Sequence, residues 1–116
     1  MRYVLLIHEP REQRETRSEA EGRALYAEMV AFGDSLGSQL VASHSLRPDR
    51  HGVRVQVRQD KPALRDGPFT ESKEMLGGFF LVECDSLDAA LGLARHCPAA
   101  RFASVEVREC APCYVK

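Results

Sequence analysis

A chain of 116 residues, 44% hydrophobic and 28% charged, has the size and make-up of one soluble globular domain. Its formal net charge is −1, with acids and bases interspersed. It therefore lacks the basic field that nucleic-acid or membrane-surface partners need, and neither partner is expected.

The first ten residues, MRYVLLIHEP, carry one basic residue and no small-residue cleavage site, so they read as a first strand and not as a signal peptide. Apolar runs such as Val4 to Ile7 are far too short to span a bilayer. The four cysteines should then be reduced thiols, and the cytoplasm is the expected location. Tyr3, Leu5 and Ile7 alternate with Val4, Leu6 and His8, which predicts a strand over residues 2–8, apolar on both faces. Residues 9–17, EPREQRETR, read as a solvated connection.

Ser18 followed by Glu21 is a capping box that opens a helix over 18–36. Leu25, Met29, Phe32 and Leu36 form its apolar stripe, and Gly37 ends it. A weaker stripe of Gly22, Tyr26, Val30 and Gly33 has the small residues to wall a cavity beside one tyrosine. Residues 39–45 make a second strand. Val53, Val55 and Val57 alternate with Arg54, Gln56 and Arg58 in a third, followed by a turn at Gln59–Pro62 and a short returning arm at Ala63–Arg65. Phe79 to Cys84 is again apolar on both faces. Asp85 and Ser86 can cap a second helix that buries Leu87, Ala90, Leu91 and Ala94, with Pro98 beyond its end, and Ala103–Arg108 is the last strand.

This order predicts an α+β fold, a ferredoxin-like βαββαβ protomer with an inserted β-arm. Its first and third core strands lie mid-sheet, where two-sided apolar character belongs. Two helices cover one sheet face, so the other face needs a cover. The cheapest cover is a second copy of the chain, which makes a homodimer the expected partner state.

Residues 65–78, RDGPFTESKEMLGG, raise the question of a site. Asp66 can bond nearby amides, Gly67 and Pro68 shape the turn, and Phe69 is an inward anchor. Thr70 can cap a single helical turn that puts Glu71 and Glu74 on one face. Corner geometry accounts for the glycines and the proline but not for the charges. Asp66, Glu71 and Lys73 are therefore candidate catalytic groups at a pocket rim, with Glu74 a binding residue. Tyr26, His8, His44 and Arg58 are further binding candidates, the two histidines being the best general bases among four. His51 falls in a turn, and His96 at a helix end suits the dipole.

Cys110-Ala111-Pro112-Cys113 is a CxxC pair, but it follows the last strand instead of opening a helix, as a redox pair prefers. Zinc would need His96 or Cys97 to join it. A cysteine-bearing tail is the simpler reading, and neither a metal nor a cofactor is expected.

MRYVLLIH, DGPFTESKEMLGGFFLVE and ASVEVRE, in this order and spacing, resemble the YCII-related family and its DGPF-motif branch. The resemblance implies a dimeric α+β barrel built on a ferredoxin-like protomer. It also implies kinship with a dehydrochlorinase of aromatic degradation and with genes beside extracytoplasmic-function sigma factors. Where the wider family carries a proposed catalytic His–Asp pair at the first helix, this chain has Tyr26 in place of the histidine, and Asp34 near the acid points away from the apolar stripe. Two functions follow. One is a small-molecule enzyme or binding protein with a pocket between sheet and helices closed by the DGPF loop. The other is an accessory or regulatory protein, sigma-factor-linked, that acts through protein contacts.

Overall fold

The computed structural model describes residues 1–116. The strands are β1 (Arg2–Pro10), β2 (Leu40–Ser45), β3 (Val53–Arg58), β4 (Lys61–Asp66), β5 (Glu74–Glu83) and β6 (Ser104–Glu109). The helices are α1 (Glu12–Thr16), α2 (Glu19–Ser35) and α3 (Leu87–Arg95). Four strands form one sheet in the order β2-β5-β1-β6, every neighbouring pair antiparallel. That is the ferredoxin-like α+β arrangement, and the two-sided apolar strands β1 and β5 occupy its centre.

Side chains alternate along β1. Tyr3, Leu5, Ile7 and Glu9 are buried on the helix side, and Val4, Leu6 and His8 are half-buried on the other. Phe80 and Val82 of β5 complete the inner face, with Phe32 of α2, its C-cap residue Leu36, and Ala90 and Ala94 of α3 packed onto it. The Phe32 and Phe80 rings meet edge to face with centroids 5.1 Å apart. Alanines at the α3 contact let that helix approach closely. Ser18 and Ser86 cap α2 and α3 through their hydroxyls, which accept from Glu21 N and Ala89 N. Each such cap contributes about 1 kcal/mol. Asp85 lies one residue outside the cap.

Four expectations need correction. Of the α3 residues expected to be buried, Ala90 and Ala94 are, whereas Leu87 and Leu91 are exposed. Residues 9–17 are not a solvated connection: β1 continues to Pro10, α1 follows, and Glu9 is only 5% exposed. The arm is longer than its predicted return. Gln59 and Asp60 both take positive φ, so a two-residue turn suffices and Lys61 and Pro62 pair with Arg58 and Val57. Thr70 starts no helical turn, because Glu74 already belongs to β5.

One irregularity sets up the site. Ile7 pairs with Gly78 and His8 with Leu76, leaving Gly77 as an extra residue in β5. Beyond this bulge the numbering parity of the inner face changes, so Met75 is buried while Glu74 and Leu76 are exposed. Cys84 and Cys97 are buried free thiols, and Cys110 and Cys113 are exposed beyond β6. No helix is long and apolar enough to cross a membrane.

Candidate functional site

The apolar stripe of α2 is used in two ways. Phe32 and Leu36 are buried against the sheet, whereas Leu25 and Met29 border a cavity of about 650 Å³. Its floor is Ile7 and Gly77 of the central strands, and its wall is Gly22, Leu25, Tyr26 and Met29 of α2. Phe102 and Ala99 close one side. A smaller space of about 320 Å³ adjoins it across Ile7, Tyr26, Met29, Ser45 and Gly77, and is bordered also by Val30, Gly33 and His44. Tyr26 borders both spaces and is 60% exposed, which puts it at the mouth.

The polar centre of the larger cavity is Glu9. Burial raises the proton affinity of its carboxyl, against the lowering influence of the neighbouring Arg14 and Arg17. Arg14 Nε stands 2.7 Å from Glu9 Oε1, yet that buried oxygen receives no well-directed hydrogen bond. Arg14 is fixed elsewhere, donating from Nη1 to the Leu46 carbonyl at 2.6 Å and from Nη2 to the Gly77 carbonyl at 3.0 Å. Gly77 makes this seat possible: a Cβ there would lie 2.5 Å from Glu9 Oε1 and 3.2 Å from Arg14 Nη2. A buried carboxylate with raised proton affinity at the border of a cavity can give or take a proton. Sequence reading missed Glu9, although the β1 alternation carried two residues further reaches it.

The DGPF corner is built differently from expectation. Asp66, exposed at the end of β4, makes no side-chain hydrogen bond; Asp49 has the role foreseen for it. The Asp49 carboxylate accepts from Phe69 N at 3.2 Å and pairs with Arg11 at 2.7 Å. Burial pushes its proton affinity up, but the Arg11 bond and the Phe69 amide outweigh that and hold it below the ordinary carboxylate value. Arg11 also donates to the carbonyls of Phe69 and Ser72. Gly67 is required by crowding, since a Cβ there would fall 1.8 Å from the Asp49 carbonyl oxygen. Phe69 is buried, with the Arg54 guanidinium 3.7 Å from its ring centroid.

None of Asp66, Glu71, Lys73 and Glu74 borders either cavity in the single chain. Glu71 is turned to the arm, where Arg54 and Arg65 donate to its two oxygens at 2.6 and 3.0 Å. Its own backbone amide first, then Arg54 and Arg65, pull its pKa down to about 2. Lys73 is exposed without an ion pair, and the Gly77 bulge turns Glu74 outward. Arg58 lies at the arm tip and donates to its neighbour's carbonyl.

His8 is on the helix-free face, its Nε2 2.7 Å from Glu106 Oε1. His44 sits on the same face beside its cross-strand neighbour Phe79, ring centroids 5.9 Å apart, with only part of the residue edging the smaller cavity. Sequence reading thus grouped residues that the fold separates onto the arm, the outer sheet face and the helix mouth. No cluster of three or more His, Cys, Asp or Glu side chains gathers to hold a metal.

With this geometry in hand, comparison with known proteins gives three results. The family model described as the YCII-related domain matches residues 1–113. An uncharacterized protein of Rhizobium meliloti (strain 1021) is 52% identical over 50 residues, a match covering 43% of this chain and 40% of that protein's length. In structure the chain is similar to 5-chloro-2-hydroxyhydroquinone dehydrochlorinase (TftG) from Burkholderia phenoliruptrix AC1100, solved in complex with 2,5-dihydroxybenzoquinone. That likeness has a TM-score of 0.57 at 15% identity, covering 96% of this chain and 94% of the other, and it speaks for the fold.

Two outcomes are expected. In a carbon-13 NMR titration the Glu9 carboxyl should titrate above the ordinary glutamate value. Arg14→Met should move it higher still, because Arg14 lowers it; an unchanged or lower midpoint contradicts the pairing. For Glu71 the folded pKa is depressed, so its contribution to stability is full above the ordinary value of 4.5 and fades as pH falls toward about 2. Urea denaturation across that window should therefore lose less stability in Glu71→Gln than in the parent chain.

Proposed function

The chain belongs to the YCII-related family, and from that premise we propose that it is a small-molecule-binding protein of enzymatic type whose ligand occupies the cavity between β1, β5 and α2. The observation that carries this reading is Glu9: a carboxyl 5% exposed, with raised proton affinity and a single arginine partner, bordering a space large enough for a single-ring ligand. Glu9 is the proton-transferring group, Arg14 steadies its charged form, and Tyr26 guards the mouth. The dihydroxybenzoquinone bound by the structurally similar dehydrochlorinase supports a ring-sized ligand. Among the residues expected from sequence, Tyr26 keeps a binding role and His44 a place at the cavity edge. Asp66, Glu71, Lys73 and Glu74 act in the reading through the corner that supports β5.

The run Asp66–Phe69 supports placing the chain in the DGPF-motif branch, and the four free thiols fit a cytoplasmic setting. The DGPF segment stands on the far side of the Arg11 clamp and does not close the cavity within one chain. A second copy is proposed to cover the helix-free face, where Val4, Leu6, Phe79 and Leu81 form an apolar strip that no helix covers. An accessory role through protein contacts is the second reading. It is favoured by the arm, whose Val53, Val55, Val57 and Leu64 share one exposed face.

Native mass spectrometry of the purified protein, followed by the same measurement on Glu9→Gln, tests the first reading. A small molecule retained by the parent and lost or weakened by at least about tenfold in the variant is expected, as for loss of a hydrogen bond to a charged group. A ligand bound equally by both, or none with unrelated proteins captured instead, favours the accessory role. Light scattering at micromolar concentration should give a dimer, reduced to monomer by Leu6→Asp; a monomeric parent chain removes the sheet-to-sheet proposal.

A further inference from the structure

The charged groups around the larger cavity do not balance. Its border carries three arginines, Arg14, Arg17 and Arg23, and two glutamates, Glu9 and Glu19. Arg14 is matched to Glu9 at 2.7 Å, and Arg23 to Glu19 at 2.8 Å in a pair that lies out in solvent. Arg17 is left over. It is half-buried, its side chain makes no hydrogen bond or ion pair within the chain, and its guanidinium carbon stands 5.5 Å from the centre of the Phe102 ring. Beyond the ring face and the longer-range attraction of Glu9, nothing in the fold uses the five donors its guanidinium presents.

The surroundings of Arg17 are made for an incoming group. It directly precedes Ser18, so its side chain lies at the positive end of the 17-residue α2, whose Ser18 and Glu19 also border the cavity. Gly22, one turn into the helix, adds no side chain; a Cβ there would only touch Arg17 Cδ at 3.8 Å. A second, independent feature points the same way. Glu9, buried and paired with Arg14 alone among the side chains, borders the same space. The lining of that space also includes Ile7, Leu25, Met29 and Ala99, all apolar.

We infer that the cavity takes a small organic monoanion with a flat apolar body, an aromatic or enolic acid, whose anionic group pairs with Arg17 while a hydroxyl or acidic C–H at its other end meets Glu9. One uncommitted cation sets the charge at one: a diphosphate or dicarboxylate finds no second partner, and a metal cation meets an excess of positive charge. The apolar part of the lining sets the body. This inference rests on the small-molecule reading above and narrows it to a chemical class.

The test uses benzoate and its uncharged counterpart benzamide as probes, titrated into nitrogen-15-labelled full-length protein, with the Gly22 and Phe102 amides as reporters. Benzoate should shift both amides and bind at least about tenfold more tightly than benzamide, the scale of a charge-assisted bond. Arg17→Gln should remove that difference and leave benzamide binding as it was, which also shows that the variant is folded. Arg17→Lys should keep part of it. Equal affinity for the two probes, or benzoate binding unchanged in Arg17→Gln, overturns the anion assignment while leaving a ligand cavity in place. If neither probe shifts those amides, the anion assignment and the cavity reading fail together.

Discussion

A carboxyl group cannot be carried beneath a helix without a counter-charge, and much of this fold is arranged around meeting that condition for Glu9. Its partner Arg14 comes from α1, a helix of five residues too short to hold itself without tertiary contacts. The contacts are the Glu9 carboxylate near the end of β1, the Leu46 carbonyl just after β2 and the Gly77 carbonyl early in β5. Removing one member of such a buried pair costs about 3–5 kcal/mol in general. The ion pair therefore joins the end of β1 to the start of β5 and the exit of β2, and the cavity exists because those three points are held apart from the N-terminal half of α2.

Arg11, three residues earlier, performs the corresponding task for the corner. It gathers Asp49, the Phe69 carbonyl and the Ser72 carbonyl, and so fixes the β4–β5 connection to the segment before the arm. The two arginines flank the space where β1 hands over to α1. One side faces the larger cavity and the other the DGPF corner. The corner thus acts on the cavity indirectly, by fixing where β5 begins and hence where the bulge at Gly77 falls.

The element order was legible because each element announces its period: two-sided apolar runs at Tyr3–Ile7 and Phe79–Val82, a 3.6-residue stripe at Leu25–Leu36, and hydroxyl caps at Ser18 and Ser86. The site was legible only in part. Glu9 stands just beyond the last apolar residue of β1 and before a proline, so it looks like the first residue of a loop. Its burial depends on Arg14 and on the missing side chain at Gly77, and neither dependence has a local signature. Asp66 and Asp49 are chemically alike, and only the three-dimensional approach of the segment around Asp49 to Gly67 decides which of them holds the Phe69 amide. Glu71 and Glu74 were placed on one face by helical counting, but the chain is already a strand at Glu74 and the bulge reverses its direction.

The arm has a bearing on how the protein behaves in concentrated solution. A two-stranded ribbon leaves both its outer edges without hydrogen-bond partners, and here one broad face is Val53, Val55, Val57, Pro62 and Leu64. Such a ribbon is a template for sheet growth from chain to chain. Its other face carries Arg54, Arg58, Lys61 and Arg65, of which Arg54 and Arg65 share the Glu71 carboxylate, so two arms brought edge to edge still bring a net excess of positive charge together. That repulsion acts over the Debye length, about 10 Å at 0.1 M salt and about 3 Å at 1 M. The colloidal stability of the chain is thus tied to ionic strength: the arms keep one another at a distance in dilute buffer and lose that protection as salt is raised.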